Sequence, residues 1–585
     1  MKKLFLMIIS ALSAVSTLAS PSASSHEPEQ GQRLELRFIE TSDVHGCFFP
    51  VDLVTGEPRM GSMACVSSFV KQLRQQYGDR LIVLDNGDIL QGQPVSYFSN
   101  YLDTLASNVA ASVINFMDYD AQSLGNHDVE TGHKVFDKWI GEVDCPSLGA
   151  NVVDEKTGLP YVSPYLLLNR GGVKVAVLGL ITPAIPNWLS PKIWEGLKFQ
   201  EMVSSARYWV DFLKRNERPD VIVGLFHSGY QGGISTPEYD ENAARKVAQQ
   251  VEGFDIIFMG HDHKRRCEYE TAPGGKQVLL IDPANNAMAV GDATVKLEFD
   301  GKKWNLTEKT GQLSDVTACE IDRDFMEHFQ PYIDRAKQWI QQPIGEMSKT
   351  ITTRDCFFGN SAFNDLVLNM ELDITHADVA FSAPLATDIE MRKGKITMGD
   401  MFSLYKFENQ LYVMKLTGDE IRKHLEMSYA MWITTMKSPR DHMILMKEST
   451  RGDQPGLWFA KPTYNFDSAA GIDYEVDVTK PEGGRVKILR MSSGEPFDPS
   501  RFYTVAMNSY RANGGGELLT RGAGIAHDEL ESRIVQKSEY DLRYYLTQEI
   551  KRKGIVNPKP NHNWRFVPEK WVKQAAARDF KTLFE

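Results

Sequence analysis

Five short segments place metal-ligating or catalytic side chains directly after short apolar runs. They are Thr41-Ser-Asp43-Val-His45-Gly46, Asp85-Asn-Gly-Asp88, Gly125-Asn126-His127-Asp128, His227-Ser-Gly229 and Gly260-His261-Asp-His263. Imidazole suits zinc, iron or manganese, whereas carboxylate and amide oxygens favour harder ions such as manganese. Two such cations close together can clamp a phosphate and generate hydroxide at neutral pH. The segments therefore predict a centre of two divalent metal ions (zinc, manganese or similar) that hydrolyses phosphoesters.

The apolar runs before these segments are typical of buried β-strands. Residues 34–39, 81–84, 173–181, 221–226 and 255–259 are short, rich in β-branched residues and bounded by turn residues. Longer helix-like stretches separate them, which indicates a layered α/β domain. Because ligands in open α/β sheets gather beyond the carboxyl ends of strands, we expect the five strand ends to meet at one site. We expect Asp88 to lie between two groups of ligands, and it is therefore the candidate bridging carboxylate.

Length and charge limit the architecture and the partners. At 585 residues with 42% hydrophobic residues, the chain exceeds one core, so two domains are expected. A net charge of −12 argues against binding of a nucleic-acid polymer through its backbone. A small phosphorylated substrate remains compatible, because bound metal inverts the local field. The six cysteines form no CxxC pair, which argues against a thiolate zinc site.

The first residues have the pattern of an export signal. Lys2 and Lys3 precede an apolar stretch, and small residues follow it. We expect residues 1–24 to be a signal peptide and the protein to be periplasmic or secreted, with no stable membrane anchor. The sequence predicts no oligomeric state.

The ordered motifs DxH, GD, GNH, a strand-end histidine and GHxH resemble those of the calcineurin-like metallophosphoesterases. The resemblance implies a four-layer β-sandwich flanked by helices over residues 33–300. It places Asp43, His45 and His263 on one metal, and Asn126, His227 and His261 on the other. It also implies that His127 is catalytic and that Glu130 orients it, with Asp128 structural.

A charged, helical pattern over residues 320–343 predicts a linker helix, which the proline at 343 would end. Residues 344–585 then resemble the α+β C-terminal domain of periplasmic nucleotidases. The matching stretches are Ile396-Thr-Met-Gly-Asp-Met-Phe402, Leu404-Tyr-Lys-Phe407-Glu-Asn409, Leu416-Thr-Gly-Asp-Glu-Ile421 and Asn508-Ser-Tyr510-Arg-Ala-Asn-Gly-Gly-Gly516. Together the two resemblances cover nearly the whole chain and imply a nucleotide substrate.

The second resemblance also implies a set of substrate-binding residues. Phe407 and Tyr510 match the two aromatic residues that sandwich the base, although on composition alone both could be core aromatics. Stacking on an aromatic ring is worth about 1–3 kcal/mol per base. The other predicted substrate-binding residues are Asn409, Gly514, Gly515, Gly516 and Arg354.

The substrate preference within the family is indicated by departures from the 5′-nucleotidase pattern. The 5′-nucleotidase pattern NGGxR is replaced by Phe381-Ser-Ala-Pro384-Leu, and Gly516 stands where many 5′-nucleotidases have an acidic residue. These departures resemble the 2′,3′-cyclic-nucleotide 2′-phosphodiesterase/3′-nucleotidase branch, which is the favoured prediction. The alternatives are a 5′-nucleotidase or UDP-sugar hydrolase and, from another class, an exported nucleotide- or metal-binding protein without catalysis.

Overall fold

In a computed structural model, which describes residues 28–451 and 454–585, two six-stranded sheets form the centre of the first domain. The predicted signal peptide lies outside the described residues. The first sheet has the order Trp304–Asp315, Ala289–Phe299, Arg33–Thr41, Leu81–Asp85, Ala121–Ser123 and Ser147–Leu148. The four strands from Arg33–Thr41 to Ser147–Leu148 pair in parallel. Ala289–Phe299 pairs antiparallel with both of its neighbours, Arg33–Thr41 and Trp304–Asp315.

The second sheet mirrors this arrangement, with a parallel centre and antiparallel edges. Its order is Arg265–Thr271, Gln277–Pro283, Ile256–Met259, Val221–His227, Val173–Ile181 and Tyr165–Arg170. All five predicted strands are present. Their continuous apolar runs reflect burial on both faces, as expected for parallel strands covered on both sides.

Three apolar cores hold the sheets and helices together. Phe38 and Leu84 of the first sheet pack with Val177 and Leu225 of the second in a shared core between the sheets. Helices Met63–Tyr77, Pro94–Tyr101, Val109–Phe116, Asn126–Glu130 and His133–Glu142 belong to the first sheet's side, and Met202–Phe212 and Ala244–Gln250 cover the second. The predicted four-layer α/β sandwich is therefore confirmed.

The predicted linker helix spans Arg323–Ile340. Phe325, Phe329 and Ile333 on its buried face belong to the core of the first domain. The helix ends at Ile340 with Gln341 as its C-cap, two residues before Pro343, as the sequence indicates. It is thus a packed element of the catalytic domain whose end leads into the second domain.

The second domain mixes small sheets with helices, as predicted. Its main sheet has the order Ser468–Ala470, Val379–Ser382, Phe502–Asn508, Gln410–Thr417 and Ile534–Asp541. Two three-stranded sheets contain Gly394–Thr397, Pro343–Met347 and Ile555–Val556, and Val486–Met491, Ile472–Asp477 and Trp564–Val567. The α-helices are Ala362–Thr375, Asp400–Leu404, Gly418–Trp432, Ser509–Ala512, Leu530–Arg533, Leu542–Lys553 and Glu569–Phe584.

Short two-stranded pairs complete the structure: Val152–Asp154 with Leu197–Phe199, Gly232–Ser235 with Asp240–Asn242, Ile351–Thr352 with Glu390–Met391, and Met446–Arg451 with Gln454–Phe459. The six cysteines are free thiols. Within the described residues, every helix is too short or too polar to span a bilayer.

Candidate active site

The strand ends bring the predicted metal ligands together in two groups. Asp43, His45 and His263 form one group, and Asp88, His227 and His261 form the other. In each group the potential ligand atoms lie within 4.8 Å of one another. Segments from both sheets contribute to each group, which explains why ligands so far apart in the chain converge.

The first group has the geometry of a cation site. His263 Nε2 lies 3.2 Å from Asp43 Oδ1 and 3.1 Å from His45 Nε2. Asp43 Oδ1 is buried and accepts no hydrogen bond from any described residue. Burying such an oxygen without a partner is costly. A divalent cation bound here would satisfy all three atoms, so the residues fit a metal ion.

The second group is held around His227. Its Nδ1–H donates to the carbonyl oxygen of Asn86 at 2.6 Å, which leaves Nε2 as the ligand nitrogen. That Nε2 lies 3.2 Å from Asp88 Oδ2 and 3.2 Å from Asn126 Oδ1. The structure therefore brings the predicted ligand Asn126 beside this group.

His261 presents Nδ1 to the second group, because its Nε2 contacts Glu241. Nε2 of His261 lies 3.1 Å from Glu241 Oε1, whereas Nδ1 is buried with no hydrogen-bond partner among the described residues. Glu241 thereby leaves Nδ1 free for a metal, because a carboxylate that binds one ring nitrogen orients the other towards the ion. The sequence does not predict Glu241, since it lies in the middle of the short hairpin strand Asp240–Asn242 and belongs to no ligand motif.

The site's electrostatics favour positive charge. Although burial opposes ionisation, the imidazoles of His227 and His127 hold the pKa of Asp88 well below its ordinary value. Against the opposing effect of burial, Asp88 and Asp43 raise the pKa of His227 to about 10. Burial lowers the pKa of His45 to about 4, which keeps it in the neutral form that binds metal.

The ligand turns use backbone conformations that side-chain-bearing residues seldom adopt. Positive φ angles occur at Asp43 (51°), His45 (49°), Asp88 (56°), His261 (75°) and His263 (56°). Such conformations cost on the order of 1–3 kcal/mol each and cluster at functional sites. The neighbouring glycines make room for them: a Cβ on Gly125 would lie 2.1 Å from Asp88 Oδ1, and one on Gly260 would lie 2.0 Å from Ser42 Oγ.

Asp128 stabilises the two turns that carry Asp88 and Asn126. Its carboxylate accepts hydrogen bonds from the backbone N–H groups of Asp88, Ile89 and Leu90 at 2.8, 3.0 and 2.9 Å. It also accepts one from the N–H of Gly125 at 2.8 Å. These four bonds agree with a structural role for Asp128.

His127 lies beside the metal ligands with Glu130 as its partner. Its Nδ1 is 2.5 Å from Glu130 Oε2, and its backbone N–H donates to Asp88 Oδ1 at 2.8 Å. Against the opposing effect of burial, the carboxylates of Asp88 and Glu130 raise the pKa of His127 to about 9. The arrangement can hold a proton on the imidazole next to a metal-bound phosphate.

In the second domain, Phe407 and Tyr510 flank a third ring, that of Tyr464. The ring centroids of Phe407 and Tyr464 are 6.3 Å apart at 86°, and those of Tyr464 and Tyr510 are 6.2 Å apart at 86°. Tyr464 remains 38% exposed, so the cluster is open to solvent. Three aromatic rings thus stand together where the sequence predicts two.

A buried arginine ties the loops of this aromatic cluster together. Arg511 donates to both carboxylate oxygens of Asp467, at 2.8 and 3.1 Å, and to the carbonyl oxygen of Tyr464 at 3.0 Å. Gly515 packs so closely that a Cβ there would lie 2.6 Å from the Tyr510 ring. Gly514 and Gly516 have positive φ angles of 99° and 70°. The predicted glycine run therefore forms the turn against Tyr510.

The remaining predicted substrate residues lie in different surroundings. Asn409 Oδ1 accepts a hydrogen bond from the Tyr405 hydroxyl at 3.4 Å, two residues from Phe407. Arg354 pairs with Asp388 at 2.7 Å, and its guanidinium carbon lies 5.6 Å from the Phe584 ring centroid. Among the described residues, Arg354 makes no hydrogen bond, ion pair or ring contact with the aromatic cluster.

The two domains contact each other next to the site. The hydroxyl of Tyr101 donates to Glu408 Oε2 at 3.0 Å, and that of Tyr97 donates to Asp541 Oδ2 at 3.0 Å. Glu408 directly follows Phe407 in the chain. The predicted base-binding loop is therefore attached to the helix Pro94–Tyr101 of the metal-binding domain.

Comparisons with known proteins agree with both resemblances. Residues 36–265 match the family model described as calcineurin-like phosphoesterase, and residues 343–521 match that described as 5′-nucleotidase, C-terminal domain. Over 94% of its length the chain is 25% identical to a trifunctional nucleotide phosphoesterase protein of Bacillus subtilis, of which it spans only 40%. It is 26% identical to a 2′,3′-cyclic-nucleotide 2′-phosphodiesterase/3′-nucleotidase of Haemophilus influenzae, with 95% of this chain and 91% of that protein covered.

Solved structures share the fold over both domains. A Staphylococcus aureus protein in complex with alpha-ketoglutarate has a TM-score of 0.74 at 23% identity, covering 91% of this chain and 100% of that one. A 5′-nucleotidase precursor from Thermus thermophilus has a TM-score of 0.63 at 22% identity, covering 92% of this chain and 100% of that one.

Proposed function

We propose that this chain, which matches the calcineurin-like phosphoesterase model and the 5′-nucleotidase C-terminal domain model, is a metal-dependent phosphoric ester hydrolase that acts on 2′,3′-cyclic nucleotides and 3′-nucleotides. The observation that carries the proposal is a two-group metal-ligand set in one domain linked directly to an aromatic cluster in the other. The metal ligands would hold the ions needed for attack on phosphorus, and the aromatic rings would stack on a nucleobase.

The proposed metal ligands are Asp43, His45 and His263 for one ion, and Asn126, His227 and His261 for the other, with Asp88 between them. When bound, the two cations would polarise the phosphate and supply hydroxide at neutral pH. The metal ions could be zinc, manganese or similar, since the ligands combine imidazole nitrogen with carboxylate and amide oxygen.

The chain's own residues then supply binding and proton transfer. Phe407 and Tyr510 stack on the base, and the ring of Tyr464 is edge-on to both of theirs. His127 holds a proton for the departing ribose oxygen, while Glu130 fixes Nδ1 and so keeps Nε2 available. His127 and Glu130 are thus proposed as the acid and its positioning partner.

The preference for 2′,3′-cyclic and 3′-substrates rests on the segment that replaces the NGGxR pattern. Phe381 is 2% exposed, and its ring stacks on that of His424 with centroids 4.2 Å apart at 10°. His424 Nε2 in turn lies 2.8 Å from Asp467 Oδ2. This segment is part of a packed core and offers no side chain comparable to the asparagine and arginine of the 5′-nucleotidase pattern. The named activity of the Haemophilus influenzae relative supports the same preference.

The test is hydrolysis of 2′,3′-cyclic AMP, 3′-AMP, 5′-AMP and a UDP-sugar by purified, manganese-supplemented protein. Phosphate release is measured directly, with alkaline phosphatase coupled to the cyclic and UDP-sugar assays. We expect a higher kcat/KM for the first two substrates. A preference for 5′-AMP or the UDP-sugar would reverse the proposed specificity. Binding of nucleotide without turnover on any substrate would support the non-catalytic alternative.

We also propose that the protein acts outside the cytoplasm, because residues 1–24 have the composition of an export signal. Fractionation of expressing cells and N-terminal sequencing of the product test this. Full-length protein recovered from the cytoplasm alone would contradict it.

A further inference from the structure

The turn that carries Tyr510 contacts the metal-binding domain through one side chain. Asn513, three residues after Tyr510, ends the helix Ser509–Ala512. Its Nδ2 donates to the carbonyl oxygen of Trp188 at 3.0 Å. The bond joins residues 325 positions apart and lies in a partly buried region. It therefore connects the aromatic cluster to the metal-binding domain.

Trp188 lies directly against a metal ligand. Its ring packs on that of His261, with centroids 5.4 Å apart at 35°. Its loop is anchored on either side by Ile185 and Leu189, which are buried in the catalytic core. The backbone N–H of Trp188 also donates to the carbonyl oxygen of Ile185 at 3.0 Å. A short series of contacts thus links the turn of Tyr510, through Asn513 and Trp188, to His261.

The other predicted stacking ring is attached in a comparable way. Glu408, the residue after Phe407, accepts a hydrogen bond from Tyr101 at 3.0 Å. Each of the two aromatic loops therefore has its own contact with the metal-binding domain. The two contacts therefore hold each aromatic loop against a different element of the metal-binding domain.

We propose that the Asn513–Trp188 hydrogen bond is a positioning contact that sets the reach from the base-stacking rings to the metal pair and so selects the phosphate position. This inference rests on the proposed function. In a 3′-nucleotide the phosphate oxygen is attached directly to the ribose ring, whereas a 5′-phosphate lies one exocyclic carbon further out. A base held at fixed distance from the metals cannot present both phosphates equally well. Misplacement by about 1 Å can cost about 10²-fold in rate.

The test compares Asn513→Asp with the unmodified protein on 3′-AMP, 5′-AMP and p-nitrophenyl phosphate. The substitution keeps the side-chain shape but replaces the donor with a carboxylate that the Trp188 carbonyl repels. We expect the ratio of kcat/KM for 3′-AMP to that for 5′-AMP to fall about tenfold or more. Turnover of p-nitrophenyl phosphate, which has no base, should stay within about twofold.

A merely structural role for Asn513 gives a different result. If the substitution only disordered the Tyr510 turn, KM would rise alike for both nucleotides and their ratio would not change, which would overturn the proposal. Asn557→Asp, an exposed amide-to-carboxylate change in the same domain, is the matched control. Asn557→Asp should retain the ratio, and a shift as large as that of Asn513→Asp would contradict the proposal.

The unmodified protein separates this inference from the proposed function. If it hydrolyses p-nitrophenyl phosphate but neither nucleotide, the proposed function fails and the inference fails with it. If it hydrolyses nucleotides with a ratio that Asn513→Asp leaves unchanged, only the inference fails.

Discussion

His127 and Glu130 face each other on a single turn of helix, with Nδ1 of the imidazole 2.5 Å from Oε2 of the carboxylate. The Glu130 side chain is 9% exposed, whereas that of His127 is 30% exposed. The carboxylate is thus the buried support and the imidazole the accessible group. This relationship separates His127 from the ligand histidines, whose ring partners are other ligands, backbone carbonyls, Asn285 or Glu241.

Replacing His127 with asparagine should lower kcat by about 10²- to 10⁴-fold, the usual contribution of a general acid. Metal content, measured by inductively coupled plasma mass spectrometry, should remain at the level of the unmodified protein. His133→Asn, a change at a histidine paired only with peripheral groups, is the control. Loss of a metal ion from H127N would instead identify His127 as a ligand.

Glu130→Gln should lower kcat less than removal of His127 does. The amide keeps the shape but not the charge, and the carboxylate is one of the groups that raise the pKa of His127. Since Glu130 raises that pKa, its loss should move the alkaline limb of the kcat profile to lower pH. A profile with unchanged limbs would show that Glu130 does not act through His127.

Glu241→Gln should weaken metal binding by about 10- to 100-fold, the typical effect of losing a carboxylate that orients a ligand histidine. Only the ion of the Asp88, His227 and His261 group should be affected, because Glu241 contacts His261. Calorimetric titration of the metal-free protein with metal ions should then resolve one weakened and one unchanged site. Glu238→Gln, on the same hairpin and exposed, is the control. Equal weakening of both sites would contradict the assignment.

Tyr510→Ala and Phe407→Ala should each raise KM for nucleotides by roughly 5- to 150-fold, which corresponds to a loss of about 1–3 kcal/mol of stacking. Steady-state kinetics with 3′-AMP and p-nitrophenyl phosphate provide the comparison. The latter lacks a base, so its KM should not change. An unchanged KM for 3′-AMP would remove both rings from the base site.

Glu408→Gln should change how stability depends on pH. Burial, opposed by Arg543 and reinforced by Asp541, raises the pKa of Glu408 from 4.5 to about 7. Between these values the folded state holds a proton that the unfolded state has lost, so this group makes stability fall as pH rises. In Glu408→Gln this contribution to the decrease in stability with rising pH is absent. Relative to the unmodified protein, it should gain up to about 3 kcal/mol of unfolding free energy between pH 4.5 and 7.

Denaturant unfolding at pH 5 and pH 8 measures this difference. Glu531→Gln, which removes an exposed carboxylate of the second domain, is the control. Parallel curves for E408Q and the unmodified protein would mean that Glu408 is ionised throughout the range.

The sequence predicts the strands and the metal-binding motifs well, because both depend on local patterns. Apolar runs of β-branched residues identify the parallel strands, and the turns after them carry Asp43, Asp88 and His261. The helix Arg323–Ile340 is equally clear from its periodicity. Periodicity shows that a helix has a buried face but not what covers it, and the structure shows that this face completes the catalytic core.

Residues that act through tertiary contacts leave no such signal. Glu241 and Trp188 belong to no motif, and the side chains that they contact come from other elements of the chain. Arg354 illustrates the converse: its position in the sequence resembles a ligand arginine, yet its recorded partners are Asp388 and Phe584. Where loops from different elements meet, only the packed structure identifies the partners.

The four backbone bonds to Asp128 have a consequence for how the protein acquires its metals. They hold the turns of Asp88 and Asn126 in shape through protein contacts alone. The shape of these turns therefore does not depend on which divalent ion their side chains bind. Exchange of one ion for another can proceed without unfolding, so the metal that an isolated sample contains should reflect the ions available to it during growth and purification.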